Sequence, residues 1–143
     1  MRALALALIG GITAACSFTP KKVTPMFSPS DLATLAADAA EYVRNEYPAA
    51  ATTLWLPAPG SDETETALLA ALAPALRERG FAVAEGGAGR QLGAPALVLD
   101  ARPVDEGVVA LILLNGQLAT RWYQRDMSAL LVPASPLTVR NRQ

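Results

Sequence analysis

The chain has 143 residues, 52% hydrophobic and 17% charged, which is the balance of one globular domain with its own core and not of a disordered chain. Its net charge of −1 argues against a nucleic-acid-binding module, because such modules carry a basic excess gathered on one face. The sequence has no histidine, and Cys16 is its single cysteine, so histidine-based triads, zinc sites and disulfides are excluded from the folded region. We expect no metal, no cofactor and no small-molecule substrate.

Residues 1–15 have the pattern of an export signal. Arg2 gives a positive start, and the apolar run from Ala3 to Ile12 is too short to span a bilayer. The next four residues, Thr13 to Cys16, resemble the bacterial lipobox, in which small residues precede a cysteine that is acylated before cleavage; only Thr13, where leucine is usual, departs from it. We expect cleavage before Cys16 and anchoring by acyl chains, palmitate among them. The alternatives are an ordinary signal cleavage site with an incidental thiol, or a short buried helix.

Residues 16–29 follow as a lipidated N-terminus and tether, and residues 30–143 as a single periplasmic domain. Ser17 stands where an aspartate commonly retains lipoproteins in the inner membrane, so we expect the periplasmic face of the outer membrane. The segment from Ser17 to Pro29 has three prolines and no sustained periodicity, which is typical of an extended tether. It could also be a recognition strand, because Phe18 and Val23 are more apolar than a spacer requires.

Two amphipathic helices are predicted in the first half of the domain. The first has Ser28 as its N-cap and Pro29 at its first position, and it ends at Tyr47-Pro48. A short strand over 52–56 precedes the second helix, which starts near Asp62 with a capping-box spacing to Glu65 and ends at Gly80. A strand over 81–85 completes a β-α-β unit.

The second half of the domain is predicted to be an antiparallel meander. Strands over 96–104 and 108–114 flank a three-residue loop, Asp105 to Gly107, in which glycine provides a positive φ, and Asn115-Gly116 is the strongest two-residue hairpin signal. Residues 118–124 alternate, and further strands are expected around 129–132 and 137–140. The fold class is therefore α+β, with two helices packed on a mainly antiparallel sheet of four to six strands.

Two segments have both a functional and a structural interpretation. The glycine-rich run 86–93 is similar to a phosphate-binding loop but lacks its spacing, which favours a flexible connector. Asp62, Glu63 and Glu65 could form a carboxylate pair for glycan cleavage, but acids in the first turn of a helix are also stabilised by the helix dipole. Asp100 and Arg102 share a strand face and are expected to form an exposed ion pair. We predict no catalytic residue.

Aromatic and arginine side chains mark a possible partner interface. Trp122 and Tyr123 are adjacent on a predicted strand, so one of them faces away from the core if the strand alternates. Aromatic residues and arginine dominate protein interfaces, and core packing is the alternative explanation. The candidate interface residues are Trp122, Tyr123, Arg121, Trp55 and Phe18.

The mature chain also contains an ordered set of segments that point to one family. After the lipobox come Glu46-Tyr47-Pro48 with an alanine run into 52–57, then 71–85, Leu97 to Asp100 and the closing Leu131 to Ala134. Together these segments resemble the TrbH family of conjugal-transfer lipoproteins. The likeness carries over one functional residue, Cys16.

This resemblance implies a mating-pair-formation component of a type IV secretion system. It implies a structural role in the outer-membrane part of the DNA-transfer channel, with other channel subunits as partners and no reaction. A general envelope-assembly lipoprotein is the alternative within the same class, and a carboxylate-dependent periplasmic hydrolase is the alternative from another class.

Overall fold

A computed structural model describes residues 26–141 of the chain. The predicted signal, Cys16 and Phe18 lie outside the described residues. The order of elements is α1 (Pro29–Glu46), β1 (Thr53–Leu56), α2 (Glu63–Glu78), β2 (Ala82–Glu85), α3 (Gly87–Gln91), β3 (Leu97–Val104), β4 (Gly107–Leu114), β5 (Gln117–Arg125), β6 (Leu131–Pro133) and β7 (Thr138–Asn141).

The start of helix α1 is fixed by a complete capping box. The Ser28 hydroxyl accepts a hydrogen bond from the Asp31 N–H at 3.2 Å, and the Asp31 carboxylate accepts one from the Ser28 N–H at 3.0 Å. Two backbone donors that the first turn leaves without partners are thereby satisfied. Pro29 occupies the first turn, and the helix ends at Glu46 with Tyr47 as its cap, so the predicted bounds of this helix are confirmed.

The predicted β-α-β unit is also confirmed, because β1 and β2 pair in parallel with Thr53 opposite Ala82 and α2 connects them. Asp62 caps α2 by accepting from the Thr64 N–H at 2.9 Å. Glu65 does not close the expected capping box. Its carboxylate instead accepts from the Gly60 N–H at 2.8 Å and so ties down the loop before the helix.

The prediction of a flexible connector over 86–93 is wrong for residues 87–91, because these residues form the short helix α3. Gly86 has a φ of +68°, a conformation that a side chain disfavours, and this residue turns the chain from β2 into the helix. Gly89 then lies directly against the ring of Trp55, which leaves no room for a Cβ atom. Gly89 therefore serves close packing and Gly86 serves the turn, roles that composition alone does not reveal.

The meander forms as expected, but one of its turns differs from the prediction. Asn115 and Gly116 have φ values of +48° and +86°, so the predicted two-residue turn between β4 and β5 is confirmed. Between β3 and β4, Val104 pairs directly with Gly107. The loop is therefore two residues long, and Asp105 supplies a positive φ of +50°. The prediction of a three-residue loop with Gly107 at positive φ is wrong.

Gly107 is needed for a different reason. A Cβ atom at this position would overlap the indole of Trp122 and the carbonyl oxygen of Tyr123. The absence of a side chain lets the Trp122 ring lie over the strand next to its own.

The strands join into one continuous surface with the helices α1 and α2 on one side. β4 lies between β3 and β5, while β6 and β7 pair with opposite ends of β5. A single parallel bridge between Trp55 and Ala96, with the Trp55 N–H donating to the Pro95 carbonyl at 2.9 Å, links β1 to β3. Apolar side chains of both helices and of alternate strand positions form one core, and the α+β class is confirmed.

We predict that Gly107→Ala lowers the free energy of unfolding by about 2 kcal/mol, because the added methyl group must displace both an aromatic ring and a backbone carbonyl. Chemical denaturation of the purified chain measures this difference. Gly87→Ala is the matched control, since a Cβ there meets no atom within 4 Å. Equal stability of the two variants would contradict the packing described for Trp122.

Candidate functional site

A line of polar contacts, called here the α1–β5 seam, joins helix α1 to strand β5. On the helix its members are Asp31, Asp38 and Tyr42, and on the strand they are Arg125, Tyr123, Arg121 and Gln117. The helix positions are seven and four residues apart and so lie on one face. The strand positions are separated by even numbers of residues, so their side chains lie on one face of the sheet, the face toward the helices. Helix and strand run in opposite directions, with Asp31 at one end and Gln117 at the other.

The strongest link of the seam is the pair of Asp31 and Arg125. The two carboxylate oxygens each accept a hydrogen bond from the guanidinium at 2.9 Å, and Asp31 is only 1% exposed. Arg125 also donates to the carbonyl of Ala129 at 2.8 Å, which fixes the loop between β5 and β6. Hydrogen bonding by Arg125 holds the pKa of Asp31 below its ordinary value of 3.8, and the capping bonds from Ser28 act in the same direction against the effect of burial.

The middle link is a three-residue cluster around Asp38. One carboxylate oxygen of Asp38 accepts from Arg121 at 2.6 Å, and the other accepts a short hydrogen bond from the hydroxyl of Tyr123. Burial, followed by the neighbouring Asp38 carboxylate, raises the pKa of Tyr123 well above its ordinary value of 10.0. The tyrosine therefore stays neutral and acts as a hydrogen-bond donor. The Arg121 Nε atom is buried without a partner among residues 26–141.

The third link extends across the sheet. The Tyr42 hydroxyl donates to Gln117 at 2.8 Å, and the Gln117 amide donates to Asn141 of β7 at 2.7 Å. Burial raises the pKa of Tyr42, so this phenol is also a donor at neutral pH. The seam therefore links α1 to both β5 and β7.

These contacts decide which of the predicted interface residues face solvent. Tyr123 is fully buried and Arg121 is bound to Asp38, so both face the helices. Trp55 is half-buried under α3, and its Nε1–H donates to the Gly86 carbonyl. Trp122 points to the opposite side of the sheet and is half-buried there, so it is the exposed member of the Trp122–Tyr123 pair.

The side of β3, β4 and β5 that faces away from α1 and α2 is unusually apolar, and we call it the outer face. Residues that pair across neighbouring strands share a face of the sheet. The apolar members of the outer face are Val98, Val104, Val109, Leu111, Leu113, Leu118 and Trp122. The short helix α3 packs mainly on β1 and β2. Among the residues that the structure describes, the helices packed against β3 and β4 are α1 and α2, and these lie on the other side of the sheet.

A signal for this face was present in the sequence. β4 reads Gly-Val-Val-Ala-Leu-Ile-Leu-Leu over 107–114, with apolar side chains at both odd and even positions. An antiparallel strand with one solvated face normally alternates between apolar and polar residues. Continuous apolar character in the central strand therefore predicts that both faces of the sheet are covered in the working protein.

The candidate carboxylates at the start of α2 lie on the surface, and two of them have structural contacts. Asp62 and Glu65 hold the loop and the first turn as described above, and both are exposed together with Glu63. Asp100 and Arg102 form the predicted exposed ion pair, with the guanidinium 2.8 Å from the carboxylate. Among the residues that the structure describes, no group of three or more potential ligands is placed to hold a metal ion. None of the helices in residues 26–141 has the length and apolarity needed to cross a membrane.

We predict that Asp31→Asn lowers the free energy of unfolding at neutral pH by about 2 kcal/mol, because it removes the ion pair and weakens the capping box. A carboxyl with a lowered folded-state pKa stabilises above its ordinary pKa of 3.8, and the contribution is lost as pH falls through the folded-state value. The free energy of unfolding, measured by chemical denaturation at several pH values between 5 and 2, should therefore decrease less with falling pH for Asp31→Asn than for the native chain.

Asp62→Asn is the matched control for this experiment, since asparagine is an equally good N-cap and Asp62 is exposed. Its unfolding free energy should change by less than about 0.5 kcal/mol. A native-like pH profile for Asp31→Asn would contradict the part assigned to the seam.

Comparison with known proteins identifies the family. The model of the family described as conjugal transfer protein TrbH matches residues 15–143, which is most of the chain. Searches of curated proteins and of solved structures gave no significant match. The resemblance noted in the sequence is thereby confirmed, and the chain belongs to the TrbH family of conjugal transfer proteins.

Proposed function

We propose that this protein is a lipid-anchored structural subunit of a type IV secretion apparatus, acting in the outer-membrane part of the channel that transfers DNA. The observation that carries the proposal is the family match, because it assigns the chain to conjugal transfer and begins at Ala15, next to Cys16. The shared region of the family thus coincides with the mature chain expected after signal cleavage.

The anchor is supported by the position of Cys16. It is the single cysteine of the chain, and it directly follows the apolar run and the small residues that a lipoprotein signal requires. Each buried CH₂ group of an acyl chain contributes about 0.8 kcal/mol, so two or more chains hold a protein at a membrane almost permanently. A serine at mature position two favours sorting to the outer membrane.

A scaffold role without a reaction is supported by the chemistry of the described residues. The charged groups nearest the core, Asp31 and Asp38, are each held by an arginine and serve to dock helix α1. The acids of α2 cap the helix or the preceding loop at the surface. These carboxylates therefore have structural contacts that account for their positions.

The partner surface that we propose is the outer face, with Trp122 as its largest side chain and another protein of the transfer apparatus as its occupant. Contiguous apolar patches on the surface of a domain mark interaction sites, and tryptophan is among the residues most enriched at the energetic hot spots of interfaces. Polar side chains of β5 and β7, including Thr120 and Arg140, border the patch as a rim does in protein interfaces. No metal, nucleotide or nucleic acid is part of this proposal.

We predict that Cys16→Ser gives an unprocessed or mislocalised precursor, because the thiol is the atom that receives lipid before cleavage. Metabolic labelling with an alkyne fatty acid, followed by fractionation of the envelope, measures both effects. The native chain should carry label in the outer membrane. Label that persists in Cys16→Ser would contradict the anchor.

We predict that Trp122→Ala lowers conjugation while the protein stays folded and lipidated. Truncation of an aromatic side chain that anchors an interface typically costs more than about 2 kcal/mol, or roughly thirtyfold in affinity. Trp122→Phe, which keeps an aromatic ring beside Gly107, should retain most of the activity. The triple variant Asp62→Ala, Glu63→Ala and Glu65→Ala should transfer DNA normally.

The reverse pattern in the same conjugation assay would overturn the scaffold proposal. Essential carboxylates together with a dispensable Trp122 would point to an enzyme. Circular dichroism and lipid labelling of each variant ensure that a loss of transfer does not come from unfolding or failed anchoring.

A further inference from the structure

Strand β3 has a second edge that is open over most of its length. On one side all eight of its residues pair with β4, whereas on the other side only Ala96, just before the strand, bridges to Trp55 of β1. After β1 the chain continues as the loop 57–59, which lies across a pocket from Leu97 to Leu99 and makes no backbone hydrogen bond with them. No backbone hydrogen bond within residues 26–141 reaches this side of β3 after the bridge.

The register identifies the backbone groups that point outward. Val104 and Gly107 close a two-residue turn, so this pair exchanges hydrogen bonds and every second pair does the same. Val98, Asp100, Arg102 and Val104 therefore bond to β4. The N–H and C=O groups of the remaining positions face the open edge, and these positions are Leu97, Leu99, Ala101 and Pro103, of which the proline has no N–H.

The side chains along this edge are complementary to a second, antiparallel copy of themselves. On the outer face, β3 carries valine, aspartate, arginine and valine at positions 98, 100, 102 and 104. When a second copy of the strand runs antiparallel and is centred on Ala101, Val98 lies opposite the second Val104 and Asp100 lies opposite the second Arg102. Val98 and Val104 are 42% and 43% exposed, so both have apolar surface to bury.

We propose that two copies of this chain pair through β3 in this register, about a two-fold axis at Ala101. The contact is isologous and closes on itself, as a two-fold axis requires. Ala101 exchanges two hydrogen bonds with its counterpart, and the Leu99 N–H of each copy donates to the Pro103 carbonyl of the other. The Asp100–Arg102 ion pair within each chain is replaced by two such pairs between the chains.

An apolar pocket beside the edge fits the same occupant. It has a volume of about 100 Å³ and is lined mainly by Pro57, Leu69, Leu72, Leu97 and Leu99. In the proposed register Pro103 of the second copy lies opposite Leu99, on the side of the sheet that faces the pocket. The pairing therefore brings an apolar ring to an apolar site and continues the sheet across both molecules.

The contact is small, so the dimer should be weak in dilute solution and favoured where copies share a membrane. A few strand residues bury less than the roughly 1,200 Å² of stable interfaces. Confinement to a surface raises the effective concentration without any new contact. The proposal depends on the edge of β3 and not on the outer-face partner, so either can fail without the other.

Cysteine crosslinking of the full-length chain in its envelope tests the register. One tagged copy carries Val98→Cys and a second copy with another tag carries Val104→Cys. These positions face each other across about 4.5 Å between Cα atoms, within disulfide range. Two copies with the same substitution place their cysteines about 20 Å apart. After oxidation we expect a mixed dimer from the combined copies and none from either variant alone, with the native chain as the control for Cys16.

Charge reversal in the same crosslinking pair supplies the second readout. Asp100→Arg sets arginine against arginine at two places and should slow crosslinking about tenfold. Asp100→Arg combined with Arg102→Asp again sets opposite charges against each other and should restore the native rate. Absence of the mixed dimer, equal crosslinking in same-position copies, or a double reversal no better than the single one would each overturn the proposal.

Discussion

The docking of helix α1 on strand β5 determines which side of the sheet becomes the core. Asp31 and Asp38 are carboxylates in contact with the core, and a buried charge is tolerated only when a partner of opposite charge and further hydrogen bonds are in place. If α1 slid by one turn, both acids and the tyrosine donors would lose their partners together. The seam therefore selects one placement of the helix, which apolar packing of alanine and leucine alone would leave less certain.

This constraint has a consequence on the other side of the sheet. Because Arg121, Tyr123 and Arg125 all point toward α1, the alternation of the strand turns Trp122 away from it. Gly107 then accommodates the indole ring, and the apolar positions of β4 continue the patch. Strand β5 thus contributes to both the stability of the domain and its proposed interface. Its odd-numbered positions dock helix α1, and its even-numbered positions face the outer side of the sheet.

Local signals predicted much of this fold and long-range contacts account for the rest. Ser28-Pro29 and Asn115-Gly116 act within a few residues of themselves, so the helix start and the hairpin could be found from the sequence. Asp31 lies in the first turn of α1, but its partner Arg125 is 94 residues away and only the folded chain brings them together. The sequence favours a turn role for Gly107. The actual requirement for glycine there is its contact with Trp122, which also arises only when the strands pair.

The central claim, that the outer face is covered by another protein in the working apparatus, can be measured at Trp122 itself. Hydroxyl-radical footprinting with mass spectrometry compares its oxidation in envelopes that contain the assembled transfer apparatus and in envelopes that contain only the lipidated chain. The claim predicts that Trp122 is oxidised readily in the chain alone and is protected when the apparatus is assembled. Equal oxidation of Trp122 in the two envelopes would contradict it.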